Sequence, residues 1–195
     1  MKKFILAAIV MMVSVSTFAQ REAGTVTIQP RIGFSASDFN NTSDTDARVG
    51  VVVGAEAEYY LTNHIGLSGG VFYSQQGSEL TMPSSTEVKF KLDYINVPLI
   101  ANFYVWKGLA LKTGLQPGFK VNSTISASRG DVKAEAKMGD VKSFDLALPI
   151  GVSYDFGHFV LDARYNLGLL KVFDDSQFDS KNFNFQLTLG YKFNL

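Results

Sequence analysis

Between residues 25 and 37, Val26, Ile28, Pro30, Ile32, Phe34 and Ala36 share one parity, and Thr27, Gln29, Arg31, Gly33 and Ser35 share the other. A period of two marks a strand with one apolar and one polar face. The pattern returns at Val49, Val51, Val53, Ala55, Ala57 and Tyr59, with Gly50, Gly54, Glu56 and Glu58 opposite. Further strands are expected near 65–75, 95–104, 109–121, 144–156, 159–169 and 183–195, which makes eight. The last is the most regular: Phe183, Phe185, Leu187, Leu189, Tyr191, Phe193 and Leu195 alternate with Asn184, Gln186, Thr188, Gly190, Lys192 and Asn194. Helical spacing fits none of these segments better.

Through the middle of every expected strand the apolar face is free of charge. Arg31, Glu56, Glu58, Lys112, Asp145, Asp162 and Arg164 all fall on the other face. In a barrel standing in water the charged face would be outside. In a barrel standing in hydrocarbon it must be inside, because Lys or Arg on the lipid face costs about 2–4 kcal/mol at the midplane. Charges of both signs can pair within a lumen, whereas a lipocalin-like carrier needs an apolar one.

The connections favour the membrane solution. Short links at 62–64, 105–108 and 157–158 alternate with longer polar ones at 38–46, 77–89, 122–142 and 171–182, which is the rhythm of periplasmic turns and surface loops. Aromatics gather at the short-turn ends (Tyr59, Tyr60, Phe103, Tyr104, Trp106, Tyr154, Phe156, Phe159, Tyr191, Phe193), where a membrane interface would lie. Phe34, Tyr73, Phe119, Phe144 and Phe183 are placed for a second girdle. The expected fold is therefore all-β: an eight-stranded antiparallel up-and-down transmembrane β-barrel.

Composition sharpens this picture. The 195 residues suit one domain, and 18% charged residues with a net charge of zero argue against a nucleic-acid partner, which calls for a basic excess. Cysteine is absent, so disulfides, thiolate metal sites and a lipidated Cys are excluded. At the start, Lys2 and Lys3 precede an apolar run ending at Val15, and Thr17, Phe18 and Ala19 stand at a cleavage-site spacing. Residues 1–19 read as a cleaved signal peptide, too short to span about 30 Å of hydrocarbon, with the barrel domain occupying 20–195. Export implies the outer membrane of a Gram-negative bacterium, with membrane lipid, lipopolysaccharide and the barrel-assembly machinery as partners.

Two features strain a simple ladder. Pro30, Pro98, Pro117 and Pro149 sit inside expected strands, so bulges or ladder breaks should occur there. Around Asp93 and Tyr94 the apolar parity changes, from Phe90, Leu92 and Tyr94 to Ile95, Val97 and Leu99, which calls for a bulge.

The stretch Leu92-Asp93-Tyr94-Ile95-Asn96-Val97-Pro98-Leu99-Ile100, in the fourth of eight strands behind a signal peptide, resembles the PorT-like outer-membrane β-barrel domain family. The resemblance extends over nearly the whole mature chain. It implies an eight-stranded barrel and transfers no catalytic site. The closing strand looks like the carboxy-terminal signal read by the barrel-assembly machinery, although here Phe193 is followed by Asn194 and Leu195.

A barrel of eight strands is filled by its own side chains. Arg31, Glu56, Lys112, Asp145, Asp162 and Arg164 are therefore candidates for a paired lumen network, with Glu58 and Lys192 nearer the periplasmic mouth; a narrow ion path is the alternative. Arg129-Gly130-Asp131 would sit near the tip of a hairpin formed by 124–128 and 132–138, the geometry of an integrin-type adhesion ligand, although Gly with Asp also simply makes a turn. Asp44, Asp46, Asp174, Asp175 and Asp179 lie in long loops without the spacing of a calcium loop. His64 and His158 are the two histidines, both in short turns. An outer-leaflet hydrolase would need histidine at the other end, so no enzyme and no cofactor are expected.

Overall fold

The computed structural model describes residues 22–39, 46–82, 86–129, 132–137, 142–171 and 181–195. The proposed signal peptide therefore lies outside the described residues, as do Gly130 and Asp131 and the loop aspartates other than Asp46. Every described element is a strand: β1 (Val26–Phe39), β2 (Asp46–Thr62), β3 (Ile65–Met82), β4 (Thr86–Asn96), β5 (Leu99–Trp106), β6 (Leu109–Arg129), β7 (Val132–Lys137), β8 (Phe144–Phe156), β9 (Phe159–Lys171), β10 (Lys181–Tyr191) and β11 (Phe193–Asn194).

Eleven segments make eight staves. β4 and β5 are two halves of one stave between β3 and β6, β10 and β11 are two halves of the last, and β7 is an outlying strand on β6. All pairings are antiparallel between neighbours, and the ring closes where β1 pairs β10 from Arg31↔Gly190 to Phe39↔Asn182 and β11 at Ile28↔Phe193. Closure removes both sheet edges.

The side chains are sorted inside out relative to a soluble protein. On β10, Phe185, Leu187 and Leu189 are 42–45% exposed while Asn184, Gln186 and Thr188 are 2–6% exposed. Among the described residues, 26 buried side chains are polar or charged and ten are hydrophobic, whereas a water-facing fold buries chiefly the latter. A continuous outer wall of Ile, Leu, Val and Phe around a polar core is soluble only in hydrocarbon.

The alternate ends differ as expected. Residues 63–64, 107–108 and 157–158 make two-residue turns. Gly157 adopts φ +64°, a left-handed conformation that suits glycine, between paired Phe156 and Phe159. At the other end the strands outrun the expectation. Residues 77–82 and 86–89 are strand, not loop, as β3 pairs β4 up to Met82↔Thr86. β6 runs to Arg129 and pairs with β7 from Thr124↔Lys137 to Arg129↔Val132, which is the hairpin expected over 124–128 and 132–138. A tilted strand crosses the bilayer in about 9–11 residues. β3 has 18 and β6 has 21, so both are longer than a crossing requires.

The prolines explain the breaks in the staves. Val97 and Pro98 separate β4 from β5, and Pro117 lies across the same gap, its carbonyl accepting the Val97 N–H at 2.8 Å. Pairing of β6 with β8 pauses between Thr113↔Ile150 and Gln116↔Ala147, beside Pro149, without a change of register. Pro30 faces the gap between β10 and β11, where the Lys192 N–H turns to the His158 carbonyl at 2.6 Å. Two imino residues facing one gap leave fewer N–H groups without a partner. A register shift does fall at Asp93/Tyr94, but the extra residue is Val121 on β6. The inward parity of β4 continues through it, so Leu92 and Tyr94 are buried in the lumen with Asn96 and do not exchange faces.

Candidate functional site

Five of the six side chains expected to pair inside the barrel meet in one layer. Arg31 on β1 reaches Glu56 at 3.0 Å through Nη2 and Asp162 at 2.8 Å through Nη1. Lys112 on β6 donates to Asp162 at 2.6 Å and lies 3.4 Å from Glu56. Arg164 on β9 bridges Glu56 at 3.1 Å and Asp162 at 3.2 Å. None of the five is more than 4% exposed. Strand periodicity puts them there: Asp162 and Arg164 are two apart on one stave, Glu56 is drawn from a distant stave, and all point inward. Gly190, paired with Arg31, makes room for the guanidinium stem, since a Cβ there would press on Arg31 Cγ.

A second layer lies towards the short turns. Lys192 sits 2.7 Å from Asp155 and 3.7 Å from Glu58, and it donates to the Tyr60 hydroxyl at 2.8 Å. Glu58 also accepts from Tyr104 at 2.8 Å, Asn102 at 2.8 Å and Gln29 at 3.0 Å. Gln29 ties the layers together, because its carbonyl oxygen accepts from Arg31 at 2.6 Å. The upper layer holds three cations and two carboxylates, the lower one cation and two carboxylates; together they balance. Burial of charge is tolerable only with such pairing.

Asp145 does not join them. It faces the lumen nearer the long loops, where it accepts the Leu146 N–H at 2.8 Å and bonds to Asn182. Its place one pairing from the end of the β6–β8 ladder, at Gly118↔Asp145, explains the separation. Tyr60 and Tyr104, expected in the interfacial girdle, also point inward; they are 2% and 5% exposed, with ring centroids 5.8 Å apart. Parity held the clue, since Tyr60 matches Glu58 and Tyr104 matches Asn102. The rest of that girdle faces out, with Tyr191 at 5.3 Å from Phe159 and 4.7 Å from Phe193, and Phe119 meets Phe144 at 5.6 Å near the long loops. Arg129 ends β6 and Val132 opens β7, and the two strands pair as a hairpin, while Gly130 and Asp131 lie outside the described residues.

The layers contain no nucleophile paired with a histidine, and among the described residues no three His, Cys, Asp or Glu side chains are grouped to hold a metal. What the arrangement does chemically is fill the bore with paired charge.

Comparison with known proteins bears on the fold and the family. No functionally curated protein matches the sequence. Among solved structures, the attachment invasion locus protein Ail of Yersinia pestis, in complex with the heparin analogue sucrose octasulfate, is similar with 19% identity and a TM-score of 0.55, covering 88% of this chain and 99% of its own. Neisserial surface protein A is similar with 18% identity and a TM-score of 0.51, covering 86% of this chain and 97% of its own. At such identity the likeness speaks for the fold alone. The family model described as outer membrane protein beta-barrel domain matches residues 18–174. The lipid-facing wall, the closed ring and that match agree: this chain belongs to the outer membrane protein beta-barrel domain family and is an integral protein of the Gram-negative outer membrane.

Proposed function

We propose that this barrel is a sealed, non-enzymatic wall element whose long-loop strands serve structural or interaction roles at the cell surface. Within its family we place it with the PorT-like barrels, on the Asp93-to-Leu99 stretch. The seal is the supporting observation: Arg31, Glu56, Lys112, Asp162 and Arg164, drawn from four staves, are locked to one another across the bore. An ion entering that layer would have to displace a paired charge in a poorly hydrated space, and interior pairs of this kind hold each other strongly. The short-turn side faces the periplasm, by the rule that surface connections are the longer ones. Residues 1–19 are the export signal, residues 20–195 the mature domain, and the β10–β11 segment the part presented to the barrel-assembly machinery. Around the wall stand outer-membrane lipid and lipopolysaccharide.

Planar-bilayer recording of the purified, refolded protein tests the seal. Quiet membranes are expected at moderate voltage. Reproducible ion-selective steps at single-protein dilution would replace this reading with that of a narrow channel. A second reading, adhesion through Arg129, Gly130 and Asp131, draws on the β6–β7 hairpin that brackets them. It predicts that Asp131→Glu abolishes integrin-dependent attachment of cells displaying the barrel, and unchanged attachment removes it.

A further inference from the structure

On the long-loop side of the ion layers the lumen changes chemistry. Gln76, Asn96, Gln116, Asn166, Asn182 and Asn184 converge there from five staves, beside Asp145. All six amides are at most 5% exposed. They surround a cavity of about 10 Å³, room for a single water molecule. Six polar atoms of these side chains lack a protein partner: the amide nitrogens of Asn96, Asn166 and Asn184, and the amide oxygens of Asn166, Asn182 and Asn184. Buried polar groups are nearly always satisfied, by protein or by ordered water.

We propose that this amide ring is a binding site for buried water, occupied by a resident molecule that bridges Asn166 and Asn184. The orphans decide the guest's chemistry. Three are donors and three are acceptors, and water is the small ligand that offers both. A cation would need oxygens only. The single nearby carboxylate, Asp145, is already engaged with Leu146 N–H and with Asn182. An anion would need donors only. Turning one amide by 180° exchanges a donor for an acceptor and leaves the set mixed. The barrel interior thus holds its linked ion layers on the short-turn side and a hydrated amide ring, flanked by Asp145 and Arg48, on the other, with Tyr94 and Phe72 among the side chains buried in the same lumen.

Solution NMR of ¹⁵N-labelled protein in deuterated detergent micelles tests this directly. Side-chain amide protons of Asn166 and Asn184 are expected to show cross-peaks to water with the sign of a long-lived bound molecule. Asn166→Leu, which fills the cavity with methyl groups, should erase the peak at Asn184 while heat-modifiable migration persists. The wild-type spectrum alone is decisive if that variant does not fold. No water contact at either amide overturns the proposal. So do peaks carrying the sign of fast bulk exchange, which mean an open vestibule, and peaks that appear only on adding sodium or calcium, which mean a cation site.

Discussion

Glu56 is one of two carboxylates on which the same three cations converge. Removing it leaves Arg31, Lys112 and Arg164 around Asp162 alone, in a space water does not easily reach. Breaking one partner out of a buried charge cluster typically costs about 3–5 kcal/mol, because the remaining charges keep their desolvation penalty. The exposed pair of Lys91 with Glu135, 2.8 Å apart with the Glu135 side chain 59% exposed, gives the control; such pairs are worth about 0–1 kcal/mol. Urea unfolding of the protein in phospholipid vesicles should therefore show a large loss for Glu56→Ala and almost none for Glu135→Ala. Equal losses would mean that the lumen is wet enough to screen its ions. The ion layer was legible from strand parity, since Arg31, Glu56, Lys112, Asp162 and Arg164 all oppose an apolar face. Asp145 obeys the same parity but faces the lumen nearer the long loops. Parity tells which face a side chain takes and nothing about its height along the bore.

At the level of the strands, alternation located every stave but misjudged where the staves end. Within hydrocarbon one face must be apolar, and the period of two is enforced. Above it the alternation continues with its faces exchanged, since Phe90 shares the parity of buried Leu92 while Lys89 and Lys91 take the other; the β6–β7 hairpin is legible from such alternation, and the β3–β4 extension is not, because its polar links read as a loop. The prolines were legible as breaks, although their mutual arrangement was not, because it depends on which staves adjoin. That arrangement makes a prediction. Pro117 borders a gap in the ladder, so Pro117→Ala should change stability by less than about 1 kcal/mol. Leu187 is paired on both sides, to Phe34 and to Ala163. Leu187→Pro removes a donor from a continuous ladder, at a cost of roughly 3 kcal/mol or more. The fraction of protein migrating as the compact, unheated band in detergent gels should stay near wild type for the first and collapse for the second. Collapse of both would show that Pro117 rigidifies its stave in a way its neighbours do not reveal.

For the whole barrel, the solvent is part of the structure. The wall residues are not covered by the chain: Ile32, Phe34, Val71, Leu99 and Ile150 are 50–66% exposed and spread around the ring. A soluble domain with this surface would associate through it, and a soluble domain with this interior would lack the apolar core that drives collapse. Hydrocarbon resolves both difficulties, because it covers the wall and deprives the backbone of water, so that only a closed ladder satisfies every N–H and C=O. Urea-unfolded mature chain should accordingly form the compact band when diluted into short-chain phospholipid vesicles and aggregate when diluted into buffer. Ile150, at the middle of β8, sets the scale of the lipid contribution: Ile150→Lys should lower the folding free energy in vesicles by about 2–4 kcal/mol, the cost of a cation facing the midplane. A variant that folds as well as wild type would place Ile150 near an interface, and a chain that stays monomeric and compact in plain buffer would require the charged face, not the apolar one, to be the outside of the barrel.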